Sequence, residues 1–259
     1  MYGLEYQQIE ALMLGFLRCI TAIAIMPVFG YQNVPPQVKA ALALLLAVAI
    51  SPVAMQHSAV TPPGVMPLVA AAISEVMVGM IFGLITLLVL MSAQLAGGVL
   101  GIQMGLSIAQ VIDPQSGSRT SLVAQMEYMV ALIIFVLLDV HLRFLEALGT
   151  SFTYIPLGSA AFPGEIAMSY GRLTALIFIV GIKLAAPVMA MLLLIQVSLG
   201  FMARVMPRMN VFLIGFPLKI GVGLIGIAVT LPLFVSVIAK SFDLFMDGLG
   251  GILEMMAGF

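Results

Sequence analysis

The chain has 259 residues, 63% of them hydrophobic and 8% charged, with a mean hydropathy of +1.22. A soluble domain carries about 25% charged residues, so this chain cannot clothe a water-facing surface of its size; it is a membrane protein or lies almost wholly buried in a complex. The net charge of −1 leaves no basic footprint for nucleic acid. The single cysteine, Cys19, rules out an intrachain disulfide framework and reads as a small buried hydrophobe.

The N-terminal stretch carries Glu5 and Glu10 and no early Lys or Arg. It lacks the positive region of a cleavable signal, so the first apolar run is expected to be retained. A transmembrane helix needs about 20 apolar residues. The first candidate is Leu12–Phe29, interrupted by Arg18, and a loop follows through Pro35 and Pro36. The second is Val38–Met55, and His57 and Pro62-Pro63-Gly64 separate it from the third. The third, Met66–Ala96, is too long for one perpendicular span; it holds Glu75 and the close-packing pair Gly79 and Gly83.

Gly97, Gly101 and Gly105 then stand four apart, with Ala93 and Ala109 in the same register. They run into the polar turn Asp113-Pro114-Gln115-Ser116-Gly117-Ser118. Small residues at this spacing pack helices closely. Their approach to a polar turn points instead to a re-entrant or pore-filling segment, since non-helical backbone at membrane depth survives only under cover of protein or water. Neither reading is excluded by the residues alone.

The fourth run, Val123–Leu138, closes on the charged cluster Asp139–Glu146, and Gly149–Gly164 reads as a loop. The fifth, Leu173–Met202, is again over-long and holds Lys183, Pro187 and Gln196. A short polar turn, Arg204–Asn210, joins it to the sixth, Val211–Ile238, which carries Pro217, Lys219 and Pro232. Two long apolar helices about a short turn make a helical hairpin. From Phe242 onward the tail is amphipathic, with Phe242, Phe245, Met246 and Leu249 on one face, although Gly248, Gly250 and Gly251 weaken it. Lys and Arg are spread too evenly to set an orientation.

Arg18, Glu75, Lys183 and Lys219 fall inside apolar runs, each at a cost of roughly 2.5–3.5 kcal/mol near a bilayer centre. They read either as a proton or ion pathway or as charges buried and paired against partner subunits. Asp139 and His141 are two residues apart and point to different helix faces, so an intramembrane enzyme built on His141 has no catalytic constellation. No nucleotide-binding motif is present. The 20 methionines suit core filling or a passage for varied polypeptides.

Three stretches carry a resemblance: GIQMGLSIAQVIDPQSG, HLRFLEALGTSFTYIPLG and LGFMARVMPRMNVFLIGFPLKI. Together they resemble the FliR-like family of type III secretion export-apparatus proteins, over essentially the whole chain. Val140, Arg208 and Ile108 depart from the family's usual residues. The resemblance implies an all-α, multi-helix, membrane-associated subunit with long kinked helices, a central plug loop and a C-terminal helical hairpin. It divides the chain into a FliP-like part over about 1–168, a FliQ-like hairpin over about 169–240 and an amphipathic tail over 241–259.

It also implies a non-enzymatic protein export gate, without cofactors, in the bacterial inner membrane at the flagellar basal body. The implied partners are FliP-like and FliQ-like subunits, an FlhB-like switch protein, exported unfolded polypeptides and lipid, with no nucleic acid. The plug would fall within about 103–122 and include Gln103, Met104, Gly105, Leu106, Ile108, Asp113 and Pro114. Gly97, Gly101, Pro187 and Pro217 would serve packing or hinge roles. Arg204, Pro207, Asn210, Phe212 and Lys219 would form the subunit-interface hairpin. The rival is a secondary transporter or channel for a small solute, using Glu75, Lys183 and Lys219.

Overall fold

The computed structural model describes residues 2–31, 33–57, 64–106, 121–206 and 210–257. These form seven α-helices: α1 (Tyr2–Ile25), α2 (Pro36–His57), α3 (Val65–Met104), α4 (Leu122–Leu137), α5 (Val140–Tyr154), α6 (Gly164–Val205) and α7 (Val211–Ala257). The all-α expectation therefore holds. Four helices contain stretches long and apolar enough to cross a membrane: Gln7–Ile25 in α1, all of α3, all of α6 and Leu213–Ala257 in α7. The bent pair α4 and α5 makes a fifth candidate.

The over-long runs are longer still as helices. At 1.5 Å per residue, the 40 residues of α3, 42 of α6 and 47 of α7 reach about 60–70 Å, roughly twice a bilayer's hydrocarbon thickness. Pro52, Pro187, Pro217 and Pro232 lie inside helices, where each removes one backbone donor from the ladder. Pro36, expected only to stop a helix, begins α2. Its fixed φ suits the first helical position, where an N–H would have no partner anyway.

Two sequence boundaries need correction. The stretch from Asp139 was expected to close a helix and lead to a loop over Gly149–Gly164, but Val140–Tyr154 is helical. Val140, Phe144, Leu148, Ser151 and Phe152 are its buried face, while Arg143 and Glu146 lie outside that face, so its polar composition hid a helical period. Asp139 adopts a left-handed conformation, φ 52°, between two helices bent by 64°. The sixth run, expected to end at Ile238, continues as α7 through the tail from Phe242 to Ala257. Gly248 does not break the helix. It lies beneath Leu173, whose Cδ2 would be 2.7 Å from a Cβ at that position.

The chain divides into two compact units. The first comprises Met1–Leu88, Asp139–Thr174 and Phe242–Phe259, and the second Val89–Leu138 and Ala175–Ser241. In the first, α2 packs on α1 and α5, and Phe82 of α3 meets Phe144 of α5 edge to face at 6.1 Å. Gly79 and Gly83 bring α3 against α1. A Cβ at Gly79 would lie 2.5 Å from the Arg18 carbonyl oxygen, and one at Gly83 would lie 2.5 Å from Ile25 Cβ.

At the centre of this unit Arg18 and Glu75 have no solvent exposure. Arg18 Nε donates to Glu75 Oε2 at 2.5 Å and Nη2 to Oε1 at 3.0 Å. Nη2 also donates to the Ile155 carbonyl, and Nη1 to the carbonyl and hydroxyl oxygens of Ser151. Every N–H of a guanidinium is thus used. Glu75 Oε1 accepts a further bond from the Gly158 N–H at 2.9 Å. The Phe152 ring lies 4.2 Å from Arg18 Cζ, a cation–π contact. These two charges, open at the sequence level between an ion path and partner pairing, pair with each other inside the chain.

Removing one partner strands the other as an uncompensated buried charge, at about 3–5 kcal/mol. Arg18→Met and Glu75→Met are each expected to lower the folded yield and melting temperature of the detergent-purified protein. The double variant should recover part of the loss. Additive losses in the double variant would show that the pair is not the coupled centre of the unit.

Candidate functional site

In the second unit, the last four turns of α3 carry the small-residue stripe. Gly97 and Gly101 are helical, and no break in the backbone occurs before Met104. A Cβ at Gly97 would lie 2.6 Å from both the Ala124 Cα and the Val123 carbonyl oxygen, so α3 and the start of α4 touch backbone to backbone. Gly101 lies directly against the Ser121 hydroxyl. The helix ends on Gly105 at φ +85°. Its N–H donates to the Ile102 carbonyl, and the Leu106 N–H donates to the Gly101 carbonyl, both at 3.0 Å. This is a Schellman motif, in which a left-handed glycine lets the last carbonyls find donors. A side chain at Gly105 would also strike the Phe216 ring, whose Cε1 would lie 2.5 Å away.

The chain therefore leaves the helix at Leu106 and re-enters the described structure at Ser121, beside Gly101. Of the residues assigned to a plug, Gln103 and Met104 occupy the last turn of α3, and Gly105 and Leu106 form its cap. Met104 is fully buried, with its side chain in the space left open at Gly223 of α7. Ile108, Asp113 and Pro114 lie outside the described residues.

Helices α6 and α7 form a hairpin about residues 206–210. Asn210 caps α7: its Oδ1 accepts from the Leu213 N–H at 3.4 Å, and its carbonyl oxygen accepts from the same N–H at 3.1 Å. Further along, Gly226 admits Met191 and Val188 of α6, whose nearest atoms would stand 2.8 and 3.2 Å from a Cβ there. Near the turn, Gln196, Leu199, Gly200, Ala203, Gly215, Phe216 and Lys219 line a cleft. Lys219 Nζ donates to Gln196 Oε1 at 3.4 Å. Arg204 and Pro217 are exposed, and Pro187 is half-buried within α6. Phe212 lies in the first turn of α7; Pro207 falls outside the described residues.

Three further groups bear on chemistry. Lys183 is exposed on α6, and His141 stands in the first turn of α5, just past the bend at Asp139. Among the described residues no three of His, Cys, Asp and Glu converge as metal ligands. Glu127, absent from the sequence-derived candidates, is 5% exposed on α4, and its Oε2 has no hydrogen-bond partner among the described residues. Its signal was present: it is the lone charge in an apolar run.

Comparison with known proteins places these features in a family. Residues 9–245 match the family of bacterial export proteins, family 1. The chain is 34% identical over 257 residues to the flagellar biosynthetic protein FliR of Bacillus subtilis, covering 95% of each chain. It is 30% identical over 242 residues to the protein of the same name from Pectobacterium carotovorum, covering 93% of this chain and 92% of the relative. With the Escherichia coli protein of that name it shares 29% over 222 residues, covering 84% and 82%. A match running from the middle of α1 to the last turns of α7, over helices of this length and apolarity, shows that the chain belongs to the bacterial export proteins, family 1.

Proposed function

We propose that this chain is a non-enzymatic core subunit of a flagellar type III protein export gate, in the bacterial inner membrane at the flagellar basal body. The observation that carries the reading is the match to the export family over residues 9–245, joined to relatives named flagellar biosynthetic protein FliR that it covers almost end to end. The long helices agree with it. A subunit whose apolar helices reach about twice the bilayer thickness cannot be covered by lipid alone, and neighbouring subunits would supply the remaining cover. FliP-like and FliQ-like subunits and an FlhB-like switch protein are the partners this reading requires. Within it, about 1–168 act as the FliP-like part and the α6–α7 hairpin as the FliQ-like part.

The segment between Leu106 and Ser121 is assigned to the plug. Both described ends meet Gly101 at the glycine-packed end of α3: the Leu106 N–H bonds its carbonyl and the Ser121 hydroxyl lies against it. Ends held this way suit a stopper on a rigid stem: Gly97 and Gly101 hold the stem against α4, and the cap at Gly105 ends the helix. Unfolded polypeptides would pass when the plug is displaced. No bond is made or broken in this step, so the subunit needs no cofactor.

Two outcomes are expected. Deleting residues 106–118 leaves the assembled complex intact and raises the ion conductance of membranes that contain it; conductance equal to wild type would overturn the plug assignment. A tag on this chain brings down FliP-like and FliQ-like subunits from detergent extracts. A stable monomer that carries a small solute into liposomes would instead establish the transporter reading.

A further inference from the structure

Glu127 contrasts with the other carboxylate buried in an apolar helix. Both oxygens of Glu75 accept bonds from Arg18. Glu127 is also buried, at 5% exposure, but among the described residues no cation forms an ion pair with it. It faces a small cavity lined by Met126 and Val130 of α4, Leu184 of α6, and Ile227, Thr230, Leu231 and Phe234 of α7. All of these lie in the second unit. Thr230 commits its own proton to the Gly226 and Ile227 carbonyls.

Among the described residues, the charged and titratable groups on the neighbouring helices form no ion pair with Glu127. On α3 the part belonging to this unit, Val89–Met104, contains none. On α4, Tyr128 adjoins it in sequence but does not line the cavity. On α6, Lys183 is exposed beside the lining residue Leu184, and Arg204 lies near the hairpin turn, also exposed. On α7, Lys219 reaches Gln196 and Lys240 is exposed. None of these cations is in an ion pair with Glu127. The cavity of about 20 Å³ has room for a single water, which can bond to the carboxyl but cannot replace a counter-charge.

A lone carboxylate among apolar side chains is far costlier than the neutral acid, and an ionisable group inside an apolar helix marks a functional site with its partner to be named. We propose that Glu127 is a proton-binding site: its carboxyl holds a proton while α4, α6 and α7 pack against it as they do here, and loss of that proton draws water into the small cavity they line. The proton comes from water, bonds to one carboxylate oxygen and leaves as it came; no other bond changes. The ionised group then needs more water than a cavity of this size holds, so Leu231 and Phe234 must move away from α4. The site does not depend on the plug.

The test uses the complex purified through a tag on the full-length chain, in lipid nanodiscs, with 13C-carboxyl glutamate incorporated. At neutral pH the infrared spectrum should contain a neutral-acid carbonyl band that shifts with the label and is missing in Glu127→Gln. As pH rises that band should vanish, and amide exchange over residues 226–234 should accelerate in wild type beyond its rate in Glu127→Gln at the same pH. Absence of the band at neutral pH overturns the proposal, because it shows a carboxylate paired with a cation from the assembly. Equal exchange in both proteins overturns it as well. Should Glu127→Gln fail to assemble, Glu127→Asp takes its place: it keeps an acid at the site without the label, so the labelled band should disappear, and a labelled band unchanged in that variant overturns the proposal.

Discussion

A guanidinium sealed from solvent demands a partner for every N–H it carries, and the first unit is built around meeting that demand at Arg18. The donors reach Glu75 on α3, Ser151 on α5 and the Ile155 carbonyl just beyond it. Glu75 in turn takes the Gly158 N–H. Segments up to 137 residues apart in sequence are thereby fixed to one side chain. Apolar packing alone would tolerate many slightly shifted arrangements of such helices, because an apolar face slides over another at little cost. The bidentate pair does not slide: a displacement of α3 along α1 by one residue would break two charge-assisted bonds in a medium where neither ion has an alternative.

Glycine makes that geometry reachable. Gly79 lies one helical turn from Glu75, and its missing side chain lets α3 approach the Arg18 backbone closely enough for the short Glu75 carboxylate to reach the guanidinium. The second unit uses the same device without the charges. Gly97 and Gly101 seat α3 on α4, Gly223 receives Met104, and Gly226 receives Met191 and Val188. Where lipid-like surroundings remove the hydrophobic drive for helices to associate, close contact and dispersion supply it. Twenty-five glycines in this chain are therefore compatible with long unbroken helices, because many of them make contacts that a side chain would prevent.

The two buried glutamates show how one residue type takes different chemistry from its neighbours. Glu75 is held as an ion by a cation, a backbone donor and a closed apolar shell. Glu127 has apolar neighbours and, among the described residues, no cation, and it lies beside a cavity lined by three helices. The difference lies wholly in what the opposing helices present: Arg18 in one case, Leu184 and Phe234 in the other.

Much of this was legible in the sequence. The scarcity of charge pointed to a chain buried in a membrane or a complex, and apolar run length located most of the helices. The short polar turn between the last two runs defined the hairpin, and three motif stretches pointed to the export family. Composition misled at α5, where Arg143 and Glu146 masked a buried stripe of Val140, Phe144, Leu148 and Phe152. Hydropathy averages over a helix's faces, so it cannot tell an amphipathic helix from a loop of equal polarity. The partners of individual charges were beyond it altogether. That Arg18 finds Glu75, that Gly105 ends a helix under Phe216, and that Glu127 Oε2 has no partner among the described residues are facts of contact between segments far apart in the chain. Local chemistry determined which elements form; only the packing of one helix against another decided which polar groups were satisfied and which were left waiting for a proton.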